Sequence, residues 1–168
     1  MDQNLDILGG YLNEIGLSPR KLKTLSGRKK VQKSVYLVQS AGADLGYRFQ
    51  WYKHGPYSAA LASDYFALVE SDGNKDRFPN QHQLWRSYKE IIHDVKSIFE
   101  PDTKSSFKPD LWLELMASWH YLQKISRYAP EEAEAILRSK KKRISSRKDF
   151  QLGLELVDKR LKELSLLG

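Results

Sequence analysis

SGRKKVQKSVYLVQSAGADLGYRFQWYKHGPYSAALASDY, residues 26–65, carries three structural signals in succession with almost no slack between them. After Ser26, a candidate N-cap, Val31, Ser34, Val35, Val38 and Ala41 recur at helical spacing, and Gly42 marks the end of the helix. Tyr47, Phe49 and Trp51 then alternate with Arg48, Gln50 and Tyr52, the period of two expected of a half-buried strand. Tyr57-Ser58 opens a second helix through Leu61, Tyr65 and Leu68, and Pro56 suits the turn before it because no backbone donor is needed there. Helix, strand and helix behind a cluster of Lys and Arg is the order of a small binding module rather than of a catalytic pocket.

Upstream, Leu5, Leu8, Leu12 and Ile15 predict a first amphipathic helix, with Asp2 as its N-cap and Gly16 as its stop. Downstream, the polar stretch SDGNKDRFPN, residues 71–80, reads as a loop and sets the expected internal boundary, with one module over 1–76 and a helical bundle over 77–168. In the second part, Leu84, Tyr88, Ile91, Val95 and Ile98 mark one helix that ends before Pro101. Leu111, Trp112, Leu115, Met116, Trp119 and Leu122 mark another, apolar over much of its circumference and therefore expected to be the central one. Pro130-Glu131-Glu132 is a helix start, with proline in the first turn and acids at the positive end of the dipole. Phe150, Leu154, Val157, Leu161 and Leu164 define the last helix, with Ser146 and Asp149 spaced as a capping box. The expected fold class is mainly α with a small β element, a winged-helix-like N-terminal half packed on a helical C-terminal half.

The chain has 168 residues, a formal net charge of +7 and no cysteine, so disulfides, thiol catalysis and cysteine-ligated zinc are excluded. Acidic residues stand where a signal peptide has its positive start, and the longest apolar run falls short of the roughly 20 residues of a membrane span. A basic protein of the cytoplasm, without membrane attachment, is the expectation.

Two acid-free basic runs carry the electrostatic signal. The first holds Arg20, Lys21, Lys23, Arg28, Lys29, Lys30 and Lys33; Lys29 and Lys33 share a helix face, where like charges repel and a polyanion relieves the repulsion. The second, Arg138, Lys140, Lys141, Lys142, Arg143, Arg147 and Lys148, is denser. Arg138 and Lys140 suit a helix C-terminus on their own, whereas cations ahead of the next helix oppose its dipole, and the backbone N–H groups there suit a phosphate. For both runs the plain alternative is a solvated face. Tyr52, Lys53 and His54, at the end of the strand, are candidates for surface contact, as a wing against a DNA backbone, while Tyr47, Phe49 and Trp51 are expected to pack inward.

Catalytic constellations are weak. His54, His82, His93 and His120 are scattered outside any metal-ligand spacing, and Asp94-Val95-Lys96 and Asp102-Thr103-Lys104 match only the bare D-x-K fragment of some metal-dependent nucleases. No nucleophile elbow and no phosphate-cradling glycine loop occurs.

GRKKVQKSVYLVQ (27–39), DLGYRFQWYKHGPYS (44–58) and LASDY (61–65) together resemble the pattern of the small prokaryotic proteins called YwgA-like, and ELMASWHYLQK (114–124) is similar to the same family's later helix. More distantly, the chain resembles the SocA-type antitoxin domain. The resemblance implies a winged-helix-like fold and no catalytic site. It marks Lys30, Gln32, Lys33, Tyr36, Trp51, Gly55, Pro56, Tyr57, Ser58 and Asp64 as family-type positions. Gly55-Pro56 would form the turn, Ser58 a cap, and Asp64 an anchor for the ammonium of Lys30 or Lys33; His54 receives no role. The resulting expectation is a non-catalytic nucleic-acid-binding protein, for duplex DNA, in regulation or antiviral defence, needing no cofactor or metal. Arg28, Lys29, Lys30, Lys33, Lys53, Lys140, Lys141, Lys142, Arg143, Arg147 and Lys148 are its expected contacts. The alternative is an antitoxin-like or accessory module whose basic surface meets an acidic protein.

Overall fold

The computed structural model describes residues 3–72, 75–79 and 84–168, so the expected N-cap Asp2 and part of the expected 71–80 loop lie outside the described residues. The described residues are mainly helical with one small antiparallel sheet. Its chain divides into two compact units, the first made of residues 1–50 and 57–96, the second of 51–56 and 97–168. The division follows Lys96 rather than residue 76, and it assigns the tip of a β-hairpin to the second unit.

The first unit contains helices α1 (Gln3–Ile15), α2 (Pro19–Leu22), α3 (Leu25–Ser40), α4 (Ala59–Asp72) and α5 (Arg86–Asp94). Gly16 stops α1 with a φ of +92°, as expected. The 17–25 link instead forms α2, capped by the Ser18 hydroxyl, which accepts from the Lys21 N–H at 3.3 Å. The cap of α3 is Thr24, two residues ahead of the expected Ser26: its hydroxyl oxygen accepts from the Gly27 N–H at 2.9 Å and donates to the Lys21 carbonyl at 2.8 Å. The corner between α2 and α3 is so tight that a Cβ on Gly27 would lie 1.8 Å from the Lys21 carbonyl oxygen. Ser58 caps α4 as expected, and its backbone exchanges two hydrogen bonds with the Gln32 amide, at 2.8 and 2.9 Å, which clamps α3 to the start of α4.

Strands β1 (Gln50–Tyr52) and β2 (Gly55–Tyr57) make the hairpin, with Lys53-His54 at the turn and Gly55 at a φ of +98°. The alternation from Tyr47 holds in burial, but ladder pairing begins only at Gln50. The reason is Gln39, whose amide accepts from the N–H groups of Leu45 and Tyr47 and donates to the Tyr47 carbonyl, so a side chain takes the place of a neighbouring strand.

A 3-10 turn at Lys96–Phe99 begins at the division, and the second unit continues with helices α6 (Pro109–Lys124), α7 (Pro130–Lys140), α8 (Lys142–Ser145) and α9 (Phe150–Glu163). α6 is buried from Trp112 to Leu122 and packs on α7 and α9, the central position its apolar circumference predicts. The single helix expected over 84–98 breaks at Val95, because the carbonyls beyond it have other partners. Ile98 accepts from the Trp112 indole at 3.1 Å, and Arg160 donates to the carbonyls of Ser97 and Glu100. Arg160 also stacks over Trp112 at 5.2 Å, so these carbonyls bind residues 97–100 to the second unit. His120, buried in α6, bonds through its ring to the Leu166 carbonyl at 3.1 Å.

Candidate nucleic-acid interface

In the second unit, the hairpin tip meets the turn between α7 and α8 through one side chain. Lys141 has its residue surface only 6% exposed. Its ammonium donates to the carbonyls of Tyr52 and Lys53 and sits 5.1 Å from the centre of the Trp51 ring, which in turn packs on Tyr121. A buried ammonium is costly unless its donors are satisfied, and two carbonyls with an aromatic face meet that need. Lys141 is therefore a structural pin rather than a phosphate contact, which corrects the expectation for this residue.

Pulling Lys141 inward turns its neighbours outward. Lys140 and Lys142 are exposed on either side of it, Lys53 is exposed at the hairpin turn, and Lys148 is exposed further along. Arg143 is partly spent: its guanidinium donates to Glu114 at 2.8 Å, with 60% of its side chain still exposed. The same carboxylate, almost buried on α6, lies 3.4 Å from Nδ1 of His54, so Glu114 joins α8 to the hairpin turn. Glu114 is a positioning residue that sequence reasoning missed, and His54, expected as a surface contact, is turned toward it. The available signal was Glu114 itself, the one acid in the apolar run 111–122.

Arg147 also has an internal role, lying 4.9 Å over the Phe107 ring and pairing with Asp149 at 3.0 Å. That pairing, with a hydrogen bond from Ser106, holds the Asp149 carboxyl below the usual carboxylate range. The expected capping box is thus replaced: Asp149 stands at the N-cap of α9 without a side-chain cap bond, because its oxygens face Arg147 and Ser106. An acid at this helix start also takes the place of the open phosphate seat expected there. Arg138 pairs with Glu134 at 3.2 Å and covers Phe150 at 4.8 Å.

The first basic run, in the other unit, is more heavily used by the fold. Arg28 donates to the last carbonyls of α2, Leu22 and Lys23, and lies 5.7 Å from the centre of Phe66. Lys21 reaches the Gly16 carbonyl at 3.0 Å, and Arg20 meets Asp76 at 3.3 Å. Lys29 and Lys30 are half-buried, and Lys33, only 3% exposed, lies inside the unit, away from any phosphate. Asp64 accepts from the Tyr47 hydroxyl at 2.7 Å. Of the two D-x-K fragments, Asp94 and Lys96 are exposed, while Asp102 lies 3.6 Å from Arg160.

No protein-family model matches this chain, and no curated protein or solved structure is found similar to it. Among the described residues, no helix is long and apolar enough to cross a membrane.

Proposed function

We propose that this chain binds nucleic acid, duplex DNA in particular, through the basic corner of its second unit, in a regulatory or defence setting. The observation that carries the proposal is that Lys140 and Lys142 flank the pinned Lys141 in exposed positions, with Lys53 at the hairpin turn it holds and the half-paired Arg143 next along the chain, while Lys148 is exposed further on. Exposed cations held at a rigid turn suit phosphates, which position a protein without specifying sequence. Lys53 at the hairpin turn would act as the tip of a wing. The YwgA-like pattern and its absence of a catalytic constellation agree with a binding role. Arg28, Lys29 and Lys30 offer at most secondary contacts from the other unit.

The test is an equilibrium titration with short labelled duplex DNA at two salt concentrations, using the wild type and a Lys140→Ala, Lys142→Ala, Arg143→Ala variant that keeps Lys141. Binding that weakens steeply with salt and is lost in the variant supports the reading; salt-insensitive binding, or no loss in the variant, defeats it.

Tyr52 favours a second reading, a protein partner of antitoxin or accessory type. It is 55% exposed beside Lys53, and an exposed tyrosine among cations is a typical interface anchor for an acidic surface. A stoichiometric protein co-purifying from the native host, released by Tyr52→Ala, would support this reading over DNA.

A further inference from the structure

The first unit contains a cavity of about 380 Å³, at the small end of the range for small-molecule sites. Three elements and one loop bound it: Ile7 from α1, Asp44 and Tyr47 from the extended segment after α3, Asp64 from α4, and Trp85 with Tyr88 at the start of α5. Its chemistry runs against that of the chain as a whole. In a protein of net charge +7, the described residues lining this cavity include two carboxylates and no Lys, Arg or His.

The walls are held in place by hydrogen bonds that use one oxygen of each carboxylate. Asp64 receives the Tyr47 hydroxyl at 2.7 Å through one oxygen, and burial together with that bond raises the Tyr47 phenol so that it stays protonated and keeps donating. Asp44 receives the Gly46 N–H at 2.7 Å through one oxygen, and its backbone carbonyl accepts from the Tyr88 hydroxyl, which fixes the loop against α5. Each carboxylate thus has a second oxygen with acceptor capacity. Trp85 and Tyr88 meet edge to face at 4.9 Å, and Trp85 is 55% exposed, a large apolar ring at the border of a polar cavity. Gly46 takes a φ of +84° with open space where a side chain would be, so no side chain blocks the cavity there.

We propose that this cavity is a binding site for a small organic cation, with an ammonium group between Asp44 and Asp64 and an apolar body against Trp85 and Tyr88. Carboxylates supply charge-assisted acceptors for each N–H, and aromatic faces attract the cation while covering its hydrocarbon. An anion of the same size meets two like charges. A neutral analogue keeps the apolar contact and loses the electrostatic part. The site lies wholly within the first unit and is independent of the nucleic-acid reading.

Isothermal titration calorimetry with three probes of one shape tests the proposal: phenethylammonium, 2-phenylethanol and phenylacetate, each up to millimolar concentration at neutral pH. The expected order is phenethylammonium at least tenfold tighter than 2-phenylethanol, and no binding of phenylacetate. Asp64→Asn and Trp85→Ala should each weaken phenethylammonium tenfold or more. Because Asp64→Asn also disturbs the Tyr47 link, Ala60→Phe is the control for folding. Ala60 is exposed at the cavity edge on α4, so a phenyl ring there should fill the space and abolish binding while the helical circular dichroism is unchanged. Equal binding of the alcohol, any preference for phenylacetate, no binding of phenethylammonium, or full binding by a folded Ala60→Phe variant each overturns the proposal.

Discussion

The two basic runs look alike as sequence and are used differently by the fold. In the first unit, cations on and before α3 cap α2, cover Phe66 or lie buried, so Arg28 and Lys33 belong to the interior chemistry of that unit. In the second unit, one lysine at a turn is drawn inward and the flanking ones are thrown outward. On a continuous helix, packing takes a face at a time; at a turn, it takes single residues. A dense charge run is therefore a surface only after its partners have been subtracted, and Glu114 and Asp149 subtract parts of the second run.

The largest expected effect breaks the first side of this comparison. Gly27→Ala would force a Cβ against the Lys21 carbonyl and should cost at least about 3 kcal/mol, because backbone cannot yield as a flexible side chain does. Gly16→Ala, where φ is +92° but no atom lies within 4 Å, should cost only about 1–2 kcal/mol. Urea denaturation of both variants checks the ranking, and equal costs would show that α2 and α3 do not need their close approach.

Acid should next loosen the second unit. Burial, with a smaller contribution from Lys124, lowers the His120 imidazole from its ordinary 6.5 to about 4. Between these values the unfolded chain binds a proton that the folded one refuses. Stability therefore falls as pH drops below about 6.5, and the loss is complete near pH 4. Its size is up to about 3 kcal/mol, from roughly 1.36 kcal/mol per pH unit. His120→Gln should flatten that part of the stability profile; an unchanged acid slope would remove His120 as the cause.

The comparison is sharpened most within a single tripeptide. Lys141→Ala should destabilise by about 2 kcal/mol, since two carbonyls at the hairpin tip lose a charged donor and Trp51 loses its cation. Lys142→Ala should stay within about 0.5 kcal/mol in thermal denaturation. If the corner binds DNA, the same Lys142→Ala change lowers the slope of log affinity against log salt by about 1. A Lys142→Ala variant as unstable as Lys141→Ala would erase the distinction between pin and contact.

Much of the fold was legible in the sequence. The helix periodicities around α1, α3, α4, α6 and α9, the stop at Gly16, the Ser58 cap and the Pro130 start all rest on local spacing and capping chemistry, which act within a few residues. The expected Ser26 cap and capping box did not survive, because Thr24 and the Arg147 and Ser106 partners of Asp149 were nearer in space than the pattern implied. The strand expected from Tyr47 pairs only from Gln50 for a similar reason, since Gln39 satisfies the backbone that a ladder was expected to hold.

The sequence by itself determined a mainly helical protein with a small β element, a strongly basic charge and two cation-rich segments. Tertiary structure alone decided which cations face solvent, that Glu114 links His54 to Arg143, that the division follows Lys96, and that two aspartates and three aromatics line one cavity. The physical reason is range: hydrophobic period, caps and charge count are properties of neighbours along the chain, whereas burial and ion pairing depend on residues tens of positions apart. Lys141 and Lys53 are the clearest instance, 88 residues apart and joined by one hydrogen bond.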